Sequence, residues 1–266
     1  MSPRDLSTPP AAAARPADRA GLGTGTWLVL GASSAMARAF ARALAERGAA
    51  LLLAGRDHDD LERSAADARA RGARSAEAVT FDARRPAGWP ELLARLEAAE
   101  GPIGIAVFVG SMPAQAQIDA DPALIDGVVA DNFAGPARFL QLAAPLLERH
   151  GGWVVGVGSV AGDRGRLGNY VYGAAKAGFA TYLSGLRNRL GRAGVPVLTV
   201  KPGFVDTAMT WPLDGMFLVA PPERVAADIL RALEKRRDVI YTPWFWRLIM
   251  AIIRAIPERI FKRLSI

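Results

Sequence analysis

Between residues 26 and 243, short uninterrupted apolar runs alternate with longer stretches of helical period, and this alternation limits the possible folds more than any other property of the chain. The apolar runs are TWLVLG from Thr26, ALLLAG (50–55), AEAVTFD (76–82), GIAVFVG (104–110), GWVVGVGS (152–159), VPVLTVKPG (195–203) and DVIYTP (238–243). Helical patterns fall at 35–47, 57–71, 89–99, 121–149, 169–191 and 222–236. Strands apolar on both faces and separated by helices belong to a parallel sheet covered on both sides. The expected fold class is therefore α/β, one doubly wound parallel sheet of seven strands over residues 25–243. With 266 residues and 51% hydrophobic content, the chain suits a single core.

The flanks read differently. Residues 1–24 are rich in Pro, Ala and Gly without apolar period, which predicts a disordered tail. They hold no continuous apolar segment of the secretory kind, so the expected location of the catalytic body is cytoplasmic. The absence of cysteine removes disulfides, thiolate nucleophiles and most structural zinc sites. His58 and His150 stand in charged settings without partners at ligand spacing, so no metal is expected. The formal charge is +7. Much of it lies in residues 242–266, where Arg247, Arg254, Arg259, Lys262 and Arg263 face only Glu258. The body lacks a basic stripe interleaved with aromatics, which argues against a nucleic-acid groove.

In a doubly wound sheet, ligands bind outside the carboxyl ends of the strands where the winding reverses. The stretch LGASSAMARAF (30–40) lies at that edge, as a strand turning into a helix. Gly31, Ser33, Ser34, Ala35 and Met36 then surround a helix N-terminus able to hold a pyrophosphate. Ser33 and Ser34 suit phosphate contact, and equally a helix cap. Arg56, just past the second strand, permits the 2′-phosphate of NADP without deciding between NAD and NADP, and also suits a surface helix start. Asp82, after the third strand, fits either an adenine contact or a turn.

The sharper signal lies downstream. Ser159 ends the fifth strand, and NYVYGAAKAG sets Tyr172 and Lys176 four residues apart on one helix face. An ammonium beside a phenol favours the phenolate and lowers its pKa, which suits Tyr172 to proton exchange with a carbonyl oxygen that Ser159 holds. Joined to the strand–Gly–helix unit, this set resembles the short-chain dehydrogenase/reductase family from Trp27 to Pro243. The resemblance implies a Rossmann-type fold, an NAD(P)H cofactor, catalytic Asn132, Ser159, Tyr172 and Lys176, and a nicotinamide border at Pro202, Gly203, Val205 and Thr207, with Tyr172 and Lys176 also near the nucleotide. Two departures stand out. FVGSM (108–112) replaces the family's NNAG pattern. In the glycine fingerprint, Leu30, Ala35 and Ala37 replace a threonine and two glycines, a change the loop tolerates where φ is negative.

The last segment, residues 244–266, is amphipathic, broken at Pro257 and too short in apolar run to cross a bilayer. It predicts peripheral contact with an anionic membrane at the inner face of the cytoplasmic membrane, or else a helix packed on the body or across a dimer. PWFWRLIMAIIRAIPERIFKRL and GDRGRLGNYVYGAAKAG are also similar to reductases of a decaprenylphosphoryl 2-keto pentose, used for cell-envelope arabinan. That likeness implies a lipid-linked or hydrophobic ketone substrate and a flavin oxidase partner. The alternatives are a 3-oxoacyl or other lipid-ketone reductase and, in another class, a nucleotide-sensing scaffold without catalysis. The helices at 121–149 and 169–191 suit pairing across a two-fold axis, and so a homo-oligomer.

Overall fold

The computed structural model describes residues 21–211 and 217–264. Seven parallel strands run β1 Thr26–Leu30, β2 Ala50–Gly55, β3 Ser75–Thr80, β4 Ile103–Val107, β5 Gly152–Val157, β6 Val197–Pro202 and β7 Val239–Thr242. Their order is β3-β2-β1-β4-β5-β6-β7, the expected doubly wound sheet. Leu30 pairs with Ala54 on one side and Val107 on the other, so the winding reverses beside β1 and opens a crevice at its carboxyl end.

Alternation along β1 feeds both layers. Trp27 and Val29 enter a core shared with Phe40 and Leu44 of α1 (Ala35–Ala45), Leu61 of α2 (His58–Ala70) and Ile229 of α8 (Pro222–Glu234). Leu28 and Leu30 enter the opposite core with Leu92 of α3 (Trp89–Glu97), Phe139 of α6 (Gly135–His150) and Phe179 of α7 (Tyr170–Gly191). Trp27 stacks on Trp153 with ring centroids 5.6 Å apart. Gly104 makes room for it, since a Cβ there would lie 2.3 Å from the Trp27 ring.

Three sequence expectations need correction. The helix expected over 121–149 is three pieces: α5 (Leu124–Val129), a π turn (Ala130–Ala134) and α6. A π turn carries one extra residue per hydrogen-bonded ring, and here it turns Asn132 inward to full burial. A short helix, α4 (Gln115–Ala120), precedes them and was not anticipated. The expected disordered tail lies mostly outside the described residues, but its end is ordered: Leu22 is buried and its carbonyl accepts from Trp27 Nε1 at 3.0 Å.

The C-terminal segment forms α9 (Trp246–Ala255) and α10 (Glu258–Phe261), broken at Pro257 as its sequence predicts. One face is packed on the body: Trp246, Met250 and Phe261 are buried. Burying side chains of this size contributes roughly 1.5–3 kcal/mol each, so the segment is an integral part of the domain. Arg164 fixes the break. Its Nη1 donates to the carbonyls of Ile253 and Ile256, both at 2.6 Å, its Nη2 pairs with Glu258 at 2.8 Å, and its guanidinium lies 3.6 Å from the Phe261 ring centroid. Arg164→Met should therefore cost about 2 kcal/mol in urea unfolding and expose the segment after Ala255 to limited proteolysis. An unchanged midpoint and cleavage pattern would contradict this role.

Candidate active site

The loop after β1 is tied to both neighbours of the crevice. The amides of Gly31 and Ala32 donate to Ala54 O at 2.8 and 3.0 Å, and the amide of Phe108 donates to Leu30 O at 2.8 Å. Gly31 has φ +79° and a Cβ on it would lie 2.9 Å from Val109 N, so glycine is required twice over. Ala35 and Ala37, at the two replaced glycine positions, fall inside α1, where φ is negative, and Ala37 is fully buried. Ser34 caps that helix, its Oγ accepting from Ala37 N at 3.2 Å.

A cleft opens over this loop, lined by Gly31, Ser33, Ser34, Arg56, Asp82 and Asp131 among others. Asp82 serves the turn as well, its Oδ1 accepting from Arg84 N at 2.8 Å. Asp131 gave no signal in the sequence. Arg84 holds it by two hydrogen bonds of 2.8 and 2.7 Å. Burial pushes the Asp131 carboxyl up, but the two hydrogen bonds from Arg84 and the charges of Arg84 and Arg56 prevail and leave it below the usual carboxylate range. Arg56 is exposed and forms no ion pair among the described residues.

A second cavity joins Ser159 and Tyr172 with Met36, Pro202, Gly203, Val205 and Thr207. Of the expected cofactor residues, Ala35 and Lys176 line neither cavity, Ala35 because it opens α1 and Lys176 because it is buried with its Nζ on Val157 O. Ser159 starts a 3-10 turn (Val160–Asp163) and accepts from Ala161 N at 3.0 Å. Lys176 is buried one turn after Tyr172, its Nζ donating to Val157 O at 3.0 Å. Asn132 Nδ2 donates to the carbonyls of Ser111 and Val128 at 2.7 and 2.9 Å, while its Oδ1 has no partner. A Cβ on Gly110 would lie 2.6 Å from that Oδ1 and 3.4 Å from Lys176 Nζ, so a glycine keeps the space between them open.

The electrostatics correct the expectation that Lys176 acidifies Tyr172. Burial pushes the Tyr172 phenol up to about 12, opposed by hydrogen bonding to Ser159 and by the charge of Arg166. The cation acting on the phenol is thus Arg166, which the sequence reading did not single out. Lys176 lies 5.8 Å from the phenol ring centroid, and burial pushes its own pKa down to about 8. Desolvation outweighs pair attraction for both groups, because each loses its hydration in the same apolar wall. The phenol is protonated at neutral pH, the state a proton donor needs.

Arg166, Asn169 and Trp246 also line the second cavity. The unusual spacing of two arginines in GDRGRLGN, just before the Tyr–Lys pair, was the available signal for the first two. Trp246 lies far along the chain and only tertiary packing brings it in. Its ring covers Gly203, where a Cβ would lie 1.9 Å from Trp246 Nε1.

A family profile described as short chain dehydrogenase matches residues 26–216. An uncharacterized oxidoreductase of Mycobacterium tuberculosis is 38% identical over 89% of this chain and 96% of its own length. One from Streptomyces coelicolor is 34% identical over 90% of this chain and 95% of its own. Neither is named for the keto pentose lipid. Among solved structures, a short-chain dehydrogenase from Sphingobium yanoikuyae in complex with NADPH superposes with TM-score 0.75 and 25% identity, covering 88% of this chain and 97% of that one. A second from Burkholderia cenocepacia, in complex with NADP, has TM-score 0.78 and 20% identity over 93% of this chain and 100% of that one, and supports the fold.

The buried lysine has a measurable cost. Its pKa lies below the unfolded value, so the penalty for carrying its proton is fully present below pH ~8 and vanishes above the unfolded value near 10.4. The stability of Lys176→Met relative to the parent should therefore fall by roughly 2–3 kcal/mol as urea unfolding is moved from pH 7 to pH 10. A difference independent of pH would show that Lys176 is hydrated.

Proposed function

The chain belongs to the short-chain dehydrogenase/reductase family and is an oxidoreductase; from that premise we propose that it is an NAD(P)H-dependent carbonyl reductase of a lipid-linked ketone, specifically the 2-keto pentose of a polyprenyl phosphate. The observation that carries the reductase reading is a cavity lined by Ser159 and a protonated Tyr172, with Lys176 buried one turn further along the helix and the unpaired Asn132 Oδ1 on the other side of Gly110 from the lysine. Burying a lysine and an unsatisfied amide is costly, and a nucleotide-sensing scaffold has no use for either.

The residues present fit a dinucleotide. Gly31, Ser33, Ser34, Arg56 and Asp82 border one cleft at the carboxyl end of β1, beside the N-terminus of α1. Arg56, exposed just after β2 and without an ion pair among the described residues, would favour a 2′-phosphate, and the Sphingobium relative's NADPH supports that preference. When bound, the nicotinamide supplies hydride. Ser159 Oγ holds the substrate oxygen, and Tyr172 Oη gives it a proton. The phenolate left behind is stabilised by Ser159 and by the Arg166 charge. Lys176, with a pKa of about 8, loses a proton readily near neutrality and restores the phenol. Asn132 Oδ1 and the gap at Gly110 provide a polar path for that proton.

The surface supports a membrane-held substrate. Trp244, just before α9, and Leu248 and Ile252 on it are spaced four residues apart and exposed at 66%, 57% and 68%. Arg247 and Arg254, seven apart, flank this stripe, an arrangement suited to anionic headgroups. Among the described residues no helix is long and apolar enough to cross a membrane. Trp211, Phe217 and Leu218 add exposed apolar surface. A homo-oligomer and a flavin oxidase that forms the ketone remain parts of this proposal, the latter because a 2-keto sugar must come from oxidation of its alcohol.

In anionic vesicles carrying the 2-keto pentose lipid, the parent should oxidise NADPH, and Tyr172→Phe should retain nucleotide binding while losing at least ~100-fold in rate. Equal turnover by both proteins would refute the mechanism, and turnover of a 3-oxoacyl ester but not the sugar lipid would refute the substrate. Replacing Trp244, Leu248 and Ile252 together by Ser should reduce cosedimentation with phosphatidylglycerol vesicles by about tenfold or more without lowering the unfolding midpoint. Unchanged cosedimentation would remove the membrane from the proposal.

A further inference from the structure

The cavity that holds Ser159 and Tyr172 has a second polar wall, of which the proton transfer uses only the charge of Arg166. Arg166 Nε is buried without a hydrogen-bond partner, and so is Asn169 Oδ1. Both residues line the cavity. Their isolation is unusual for their types. Asn169 is the N-cap of α7, where an asparagine oxygen ordinarily accepts from the first turn of the helix; here the side chain makes no such bond. Arg166 has no carboxylate partner among the described residues, although arginines dominate the ion pairs elsewhere in the domain.

The loop carrying both residues is fixed on each side. Asp163 pairs with Lys201 and accepts from Tyr241 Oη at 2.7 Å, and Arg164 is bound to the C-terminal segment. The turn closes on itself through Asn169 N donating to Arg166 O at 3.1 Å. Arg166 and Asn169 therefore sit on an anchored loop that borders the cavity beside Ser159 and Tyr172, and each carries a buried polar atom without a partner.

We propose that Arg166 and Asn169 are the specificity-determining pair for a ketone that carries hydroxyl groups beside its carbonyl: Arg166 Nε donates to one substrate oxygen, and Asn169 Oδ1 accepts from a substrate hydroxyl. This rests on the reductase reading and adds the chemical class that the cavity selects. A plain hydrocarbon ketone leaves both groups unsatisfied, whereas a hydroxyketone pairs them, and sites built in this way discriminate strongly against analogues lacking the hydroxyl. Trp246 closes the same cavity with a large flat ring, a surface suited to the C–H face of a sugar.

The test uses the full chain saturated with NADP⁺, which prevents reduction, and compares binding of D-xylulose and 2-pentanone by saturation-transfer NMR titration. D-Xylulose should bind at least tenfold more tightly than 2-pentanone. Arg166→Gln and Asn169→Leu should each lose about tenfold for xylulose with little change for pentanone, while Arg166→Lys recovers part of the loss and Tyr172→Phe keeps the preference. Equal binding of the two ketones, no xylulose binding, or an undiminished preference in both variants would overturn the inference. Hydroxyl-selective binding in a protein that never oxidises NADPH would leave the inference standing and refute the reductase reading instead.

Discussion

Burial of charge is the constraint on which the rest of the molecule depends. Lys176 is placed under the carboxyl ends of the strands with Val157 O as its hydrogen-bond acceptor, and the fold must compensate for its desolvation. The compensation is the surrounding sheet, whose β1, β4 and β5 are apolar on both faces and pack two cores at once. The same burial that makes the lysine costly makes it useful, since an ammonium held near pKa 8 exchanges protons at neutral pH where an exposed one does not. Stability is given up locally for reactivity, at the sheet edge where the winding reverses.

The electrostatic assignment differs from the simplest view of a Tyr–Lys pair. Two groups four residues apart on a helix are neighbours, but their coupling competes with the solvation each has lost. Here solvation prevails, and the charge felt by the phenol comes from Arg166. Tyr172 and Arg166 both line one cavity, so a ligand that enters it meets the phenol and that cation together.

The sheet was legible in the sequence because each strand is a continuous apolar run, and the candidate site stood out because Ser159, Tyr172 and Lys176 lie on two adjoining elements. The π turn at Asn132 was not, since a single extra residue in a helical register leaves the hydrophobic period of 121–149 almost unchanged. Arg166 and Asn169 were hidden for another reason: an arginine or asparagine in a polar loop reads as solvated, and only the tertiary fold shows that both are half-buried and line the cavity. The C-terminal segment was read as amphipathic, correctly for its pattern, but the pattern does not say whether the apolar side meets lipid or protein. Trp246 and Met250 meet protein, whereas Leu248 and Ile252 face outward.

Trp246 belongs to two structures at once, being the root of α9 and a wall of the cavity over Gly203. A chain shortened before that residue would not be a leaner version of this catalyst. It would have a breach beside its reacting centre, open to water. Exchange of C-terminal modules between relatives therefore has a natural seam only beyond Phe261, the last aromatic anchored in the body.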